Sequence, residues 1–322
     1  MRARIAAFEV TPRQFEILSL LALISLTLIV CTGAAVRLSG SGLGCPDWPR
    51  CYGHVYPPLR THALIEFSNR IVSGFVGVMT VLAGLAAWRR RPYRRDLLLL
   101  GIALPLGVVA QAALGAVTVV DKLAPGLVMS HYALSMAILV AAFALYWRAR
   151  ERAPKPDVRD EQDRTAVWAV RALAPFAALV LFAGTAATAA GPHSGGAIGQ
   201  TIKRLTFDGA GTLRATVHAH GALAFAFGVA AVFVWVLLER RQADRMLRRA
   251  VGFICVLVAT QGVVGVVQYE THLPTELVWV HVAAATLTWL CVLWSVAAAG
   301  RLEPTVAKAS AQIRPSVAPR NT

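Results

Sequence analysis

Eight apolar stretches constrain the fold of this chain more than any other feature of its sequence. Each is long enough to cross a bilayer, which takes about 20 residues of α-helix. They lie at 16–36, 64–88, 97–120, 127–147, 167–190, 215–238, 247–268 and 275–299. The chain is 57% hydrophobic and only 15% charged, which is far more apolar than a soluble domain. The first stretch is too long for a cleavable signal peptide. The sequence therefore predicts an all-α integral membrane protein with eight transmembrane helices.

Basic residues concentrate in alternate loops between these stretches. The clusters are Arg89, Arg90, Arg91, Arg94 and Arg95; Arg148, Arg150, Arg152, Lys155, Arg159 and Arg164; and Arg240, Arg241, Arg245, Arg248 and Arg249. The positive-inside rule places these loops and both chain termini in the cytoplasm. We therefore attribute the net charge of +15 to orientation in the cell membrane and to contact with anionic lipid, and expect no nucleic-acid partner.

The chain contains an internal duplication. The matching pairs, each displaced by 150 positions, are Gln111 and Gln261, Gly115 and Gly265, and His131 and His281. The run TGAAV at 32–36 is echoed at a displacement of 151 by AGTAA at 183–187. Looking for such repeats comes first, because missing one misassigns the whole fold.

The duplication predicts two tandem four-helix bundles. An even number of helices per half gives both halves the same orientation, so a pseudo-two-fold axis along the membrane normal should relate them. We assign the N-terminal half to 1–150 and the C-terminal half to 167–300. A charged cytoplasmic linker at 151–166 joins them, and a polar tail at 301–322 is predicted to be disordered and cytoplasmic.

The spans that run inward from the outer face carry their polar residues near their outer ends. His131 and His281 lie a few residues into spans four and eight. His218 and His220 lie near the start of span six, and Glu66 lies near the start of span two. At about 1.5 Å per residue, all lie within roughly 10 Å of the outer boundary. A histidine at this depth either bonds a neighbouring helix or binds a metal. Histidines from facing helices of an apolar bundle suit a haem best.

Span six offers two histidines for one ligand position. His218 and His220 are two residues apart and point to nearly opposite helix faces, so we expect only one to be a ligand. A displacement of 149 matches His218 to Asn69 in span two, and a displacement of 151 matches His220 to it. The comparison of the two spans therefore does not identify the ligand. We favour His218 and keep His220 as the alternative. Asparagine is not a haem ligand, so the first half has no evident second histidine beside His131.

Glu66 has two interpretations. Arg70 follows it at i+4, so the two side chains could form a helix ion pair near the interface. Alternatively, the carboxylate is aimed at the edge of a bound substrate.

Cys45 and Cys51 lie in the outer loop after the first span. An outer loop faces an oxidising compartment, which favours a local disulfide. Such a bridge could be a structural clip or a redox-active pair, and both remain open.

The sequence resembles the haem A synthase family. The resemblance rests on TGAAVRLSGSGLGCPDWPRC at 32–51, IEFSNR at 65–70, GPHSGG at 191–196 and the histidines of spans four, six and eight, and it covers 16–299. It implies oxidation of the C8 methyl of haem O to a formyl group by successive hydroxylations, supplying haem A to a terminal oxidase. A haem O-forming farnesyltransferase is the implied source of substrate.

The resemblance also implies roles for the residues singled out above. His281 with His218, or with His220, would hold a permanent haem b in the second half. His131 would hold the substrate haem O in the first half, with Glu66 close to the reacting edge. Cys45 and Cys51 would serve haem transfer or redox support. Many family members carry a histidine where this chain has Asn69. If that histidine is a ligand in those members, the substrate haem here would have a single protein ligand.

Two other functions compete with this reading. A diheme b-type cytochrome passing electrons from quinol would need two doubly ligated haems, and Asn69 argues against that. A haem transporter would be expected to have helices broken near the midplane, whereas the polar residues here cluster near one surface.

Overall fold

Eight long helices make up the described part of the protein. The computed structural model describes residues 9–150, 161–197, 199–207 and 211–300. The helices are α1 (Pro12–Leu38), α2 (Thr61–Arg89), α3 (Arg95–Val120), α4 (Pro125–Ala149), α5 (Glu161–Ala190), α6 (Thr212–Arg240), α7 (Arg245–Glu270) and α8 (Thr275–Ala298). All eight are long and apolar enough to cross a membrane. Each helix contains one predicted span in full, except that α8 ends one residue before its span does. The predicted all-α fold with eight membrane helices is therefore confirmed.

The helix ends follow local signals in the sequence. Helix α1 begins with a capping box in which Thr11 and Gln14 satisfy each other's backbone N–H groups. Asp244 caps α7 by accepting from the backbone N–H of Met246 at 2.8 Å. Helix α5 begins at Glu161, six residues before the apolar span predicted at 167–190, so part of the predicted linker is helical. Residues 151–160 of that linker and the predicted tail at 301–322 lie outside the described residues.

The two halves pack their helices in the same way. In the first half α1 packs on α2, α2 on α3, α3 on α4, and α4 returns to α1; the corresponding pairs pack in the second half. The halves meet through α1 with α8, α4 with α5, and α4 with α8. Exchanging the halves leaves this pattern unchanged, as a two-fold relation between them requires.

The seam between the halves carries polar contacts as well as apolar packing. The indole N–H of Trp289 donates to the carbonyl of Met136 on α4 at 3.1 Å. The indole N–H of Trp279 donates to the carbonyl of Cys31 on α1 at 3.0 Å. One apolar cluster runs through the helices of both halves. Large apolar side chains such as Phe225, which is 76% exposed, cover the outside of the bundle, where a bilayer would surround them.

Candidate functional site

The loop between α1 and α2 folds around a disulfide. Cys45 and Cys51 are bonded to each other and both are fully buried. The predicted disulfide is therefore confirmed, while its redox role stays a prediction. Within the loop, the Asp47 carboxylate accepts from the backbone N–H of Tyr52 at 2.6 Å and of Gly53 at 2.8 Å. These bonds, that of Gly53 first, hold the pKa of Asp47 below its usual range.

The disulfide loop lies directly on the start of α2. A Cβ added to Gly44 would come within 2.1 Å of the His62 carbonyl oxygen, so only glycine permits this approach. The hydroxyl of Ser41 and Nδ1 of His62 lie 2.9 Å apart. The loop is therefore seated on the helix that carries Glu66.

Glu66 is buried, and its carboxylate joins α2 to the disulfide loop. Oε2 accepts from the backbone N–H of Cys45 at 2.7 Å, and Oε1 accepts from the Arg70 guanidinium at 2.5 Å. The predicted Glu66–Arg70 ion pair is present. Arg70 also donates to the carbonyls of Asp47, Pro49 and Arg50, at 3.1, 3.4 and 2.9 Å. Arg70 thus holds both the carboxylate and the loop above it.

His131 lies against α3 in the first half. A Cβ added to Gly115 would lie 3.3 Å from the His131 ring, so this glycine makes room for the imidazole. The Gln111 amide donates to the His131 carbonyl at 2.9 Å and to the Ser135 hydroxyl at 2.5 Å, fixing α4 on α3. Nδ1 of His131 is buried without a hydrogen-bond partner in the described part of the chain.

His220 and His281 face each other in the second half. Their ring centroids are 6.2 Å apart, with the planes inclined at 73°. Nδ1 of His220 lies 3.1 Å from the Val180 carbonyl and therefore donates to it, which leaves Nε2 with a free lone pair. The ring of His281 lies over Gly265, as that of His131 lies over Gly115. His218 instead lies edge-on to Tyr269 on α7, at 6.5 Å between centroids.

The separation of the two rings matches that of two imidazoles bound to one metal ion. A metal held at about 2 Å by one nitrogen of each ring would set the two centroids roughly 6 Å apart. The hydrogen bond from His220 to Val180 is the usual device that fixes which ring nitrogen remains free for a metal. Among the described residues no group of three or more His, Cys, Asp or Glu side chains forms a metal-ion site. Two imidazoles in an apolar bundle suit haem iron, which brings its other ligands with it.

The first half differs from the second at the matching position. The displacement of 151 that relates TGAAV to AGTAA pairs Gly33 with Gly184 and Asn69 with His220. A Cβ on Gly184 would lie 3.0 Å from the His220 ring, whereas one on Gly33 would meet nothing within 4 Å. In the second half the His220 ring fills the space beside Gly184. In the first half the shorter Asn69 leaves the corresponding space beside Gly33 free. Its Oδ1 is buried without a partner in the described region.

The α1–α2, α5–α6 and α7–α8 loops tie the halves together at the end of the bundle that carries the disulfide. The Arg37 guanidinium donates to the Thr188 carbonyl at 3.1 Å, and the Gly42 N–H donates to the Gly195 carbonyl at 2.8 Å. Nε2 of His193 lies 2.7 Å from the Leu273 carbonyl, which links the α5–α6 loop to the α7–α8 loop. His193 thus has a structural partner.

Comparison with known proteins gives a consistent result. A family model named COX15-CtaA and described as cytochrome oxidase assembly protein matches residues 16–293. A relative from Alkalihalophilus pseudofirmus named "Heme A synthase" is 33% identical over 135 residues, covering 41% of this chain and 46% of the relative. One from Shewanella oneidensis with the same name is 32% identical over 143 residues, covering 39% and 42%. The chain spans less than half the length of these curated relatives.

Proposed function

The chain belongs to the COX15-CtaA family of cytochrome oxidase assembly proteins, and we propose that it is a haem A synthase that oxidises the C8 methyl group of haem O to a formyl group. The observation that carries this proposal is the difference between its two histidine sites. The second half has a facing pair, His220 and His281. The first half has His131, the counterpart of His281, while a Cβ on Gly33, the counterpart of Gly184, would meet nothing within 4 Å. One closed site and one open site suit an enzyme with a resident haem and a haem substrate, whereas an electron carrier needs two closed sites.

We assign the resident haem b to His220 and His281, in place of the preference for His218 that the sequence suggested. The hydrogen bond from His220 to Val180 orients the ring, and the glycines beneath His220 and His281 admit the imidazoles. When bound, this haem supplies one-electron chemistry, and the substrate haem supplies the iron at which oxygen reacts. The apolar bundle around both sites excludes water from the reacting centre.

We assign the substrate haem to His131 and a catalytic role to Glu66. The Gln111 bonds to α4 fix the backbone of His131. Glu66 holds a carboxylate beside the disulfide loop with Arg70 as its counter-charge. In this position it is suited to orient the reacting edge of the substrate and to accept or release a proton at a carboxylate oxygen.

We further propose a setting for the reaction. The basic loops and both termini would face the cytoplasm. Both haem sites and the disulfide would then lie near the outer side of the cell membrane. Haem O would arrive from a farnesyltransferase and haem A would pass to a terminal oxidase. The Cys45–Cys51 bridge would serve haem transfer or electron supply.

The experiment that tests the function is haem analysis of membranes that contain this chain and a haem O producer. Pyridine haemochrome spectra and mass spectrometry should reveal haem A, or its hydroxylated intermediate, only when the intact protein is present. Glu66→Gln and His131→Ala should abolish that product while the resident haem b is retained. His220→Ala should lose the resident haem, and the matched His218→Ala should keep it. Unchanged haem O in the presence of oxygen and an electron donor would refute the synthase proposal.

A further inference from the structure

A basic pocket lies between α6 and α7, at the end of the bundle opposite the histidine sites. Its volume is about 270 Å³, and it is lined by Trp235, Glu239, Arg245, Arg248, Arg249 and Gly252. These residues sit within roughly two helical turns of the α6–α7 connection. That connection belongs to one of the three basic clusters, so the pocket faces the cytoplasmic side by the positive-inside rule.

Among the described residues, the positive charges of the pocket are not fully paired. Its single carboxylate, Glu239, is paired with Arg248 at 2.5 Å. Arg245 and Arg249 are exposed and make no ion pair or hydrogen bond in the described ranges. Nε of Arg248 is buried and likewise lacks a partner there. Two positive charges therefore remain for a ligand, and guanidinium groups suit the oxygen atoms of a phosphate.

The duplication indicates that this pocket is particular to the second half. At a displacement of 150, the first-half counterparts of Arg248, Arg249 and Gly252 are Leu98, Leu99 and Ile102. At 151, the counterpart of Trp235 is Gly84. A Cβ on Gly84 would lie 3.0 Å from the Gly101 carbonyl, so α2 and α3 are in close contact where α6 and α7 leave a pocket.

Trp235 gives the pocket a second kind of donor. Its Nε1 lies 3.4 Å from the point where a Cβ on residue 252 would sit. Because residue 252 is glycine, the indole N–H stays open to the pocket. Tryptophan is common at this depth, where one edge of the ring meets headgroups and the rest meets acyl chains.

The surroundings of the pocket favour a lipid over a free anion. One helical turn deeper on the same two helices, Val232 and Val256 are exposed at 48% and 64%. These side chains offer an apolar surface directly below a cationic one. We propose that the pocket binds the phosphate of an anionic phospholipid of the cytoplasmic leaflet, with the acyl chains lying along α6 and α7. This inference does not depend on the proposed enzymatic function.

Titration of the purified full-length protein tests the proposal. Delipidated protein in neutral detergent would be titrated with dihexanoyl phosphatidylglycerol, with dihexanoyl phosphatidylcholine and with inorganic phosphate. Binding would be followed by the thermal unfolding midpoint and by the fluorescence difference between wild type and Trp235→Phe. Phosphatidylglycerol should raise the midpoint and change the fluorescence of Trp235. The double variant Arg245→Gln/Arg249→Gln should bind about thirtyfold more weakly, if each arginine contributes about 1 kcal/mol to holding an anionic headgroup.

Two further variants keep the result specific. Arg245→Lys/Arg249→Lys retains both charges and should retain most of the affinity. Arg95→Gln removes the first-half counterpart of Arg245, an exposed arginine of the same membrane face, and should leave binding unchanged. Equal affinity of wild type and the double Gln variant would overturn the proposal. Saturation by inorganic phosphate alone at the same concentration would assign the pocket to a free anion and overturn the lipid assignment.

Discussion

At the scale of single residues, the Arg70 side chain joins four groups of α2 and the disulfide loop. It neutralises a buried carboxylate and donates to three carbonyls of the disulfide loop. Arg70→Met would leave Glu66 buried without a counter-charge, which should cost about 3 kcal/mol. The variant should unfold at a lower temperature, and its Cys45–Cys51 bridge should be reduced faster by dithiothreitol, as measured by thiol alkylation and mass spectrometry.

Matched variants separate this effect from the loss of any arginine nearby. Arg60 is exposed and its guanidinium lies over the Tyr52 ring, 5.6 Å from the ring centre, so Arg60→Met should cost less than about 1 kcal/mol. Arg70→Lys keeps the charge but not the planar fork and should lie between the two. Adding Glu66→Gln to Arg70→Met should recover part of the loss, because the two side chains are coupled. Wild-type stability and reduction rate in Arg70→Met would contradict this account.

The choice between His218 and His220 marks a limit of the sequence at this scale. The span boundaries, and the rule that polar groups in a membrane face the bundle interior, were sufficient to predict both histidines as candidate ligands. Their assignment depends on how α6 is rotated against α5 and α8, which is a packing property. One usable signal was present in the sequence: Gly33 and Gly184 fix the displacement at 151 and thereby pair Asn69 with His220.

At the scale of helices, hydrophobic length was sufficient to predict all eight elements. A membrane helix must satisfy its own backbone groups, so a long apolar run has few alternatives. The start of α5 was missed because residues 161–165 are polar and lie beyond the apolar run. The seating of the disulfide loop on α2 could not be predicted either, since it rests on the close approach of Gly44 to the His62 carbonyl.

Helices α1 and α5 carry matched glycines, Gly33 and Gly184, with different surroundings. Alanine substitutions at the two positions should therefore have different effects on haem binding. Gly184→Ala would place a methyl group 3.0 Å from the His220 ring and disturb its bond to Val180. In cells that make no haem O, this variant should bind less resident haem or shift its low-spin spectrum. Gly33→Ala meets nothing within 4 Å and should keep the haem, gaining up to about 1 kcal/mol of helix stability. Equal haem contents and spectra would refute the assignment of His220.

At the scale of the whole molecule, the important property is the departure from symmetry. The same helix pairs pack in both halves, and both halves carry a histidine on their fourth helix over a glycine of the third. The halves differ where Asn69 replaces a histidine, where the disulfide loop covers α2, and where α6 and α7 enclose a basic pocket. The two bundles are thus similar in packing, and a few substitutions make their polar sites different.

Restoring the symmetry at one position tests this view. Asn69→His would direct an imidazole into the open space beside Gly33, opposite His131. Loaded with haem O, the wild-type protein should show one low-spin haem from the second half and one haem with an open iron position. Asn69→His should show two low-spin haems by optical and electron paramagnetic resonance spectra, and conversion to haem A should fall because the open position is closed. Asn69→Ala, which adds no ligand, should keep the wild-type spectrum. Two low-spin, doubly ligated haems in the wild-type protein would show that the first-half site is closed by another residue and would remove the basis for assigning the substrate to it.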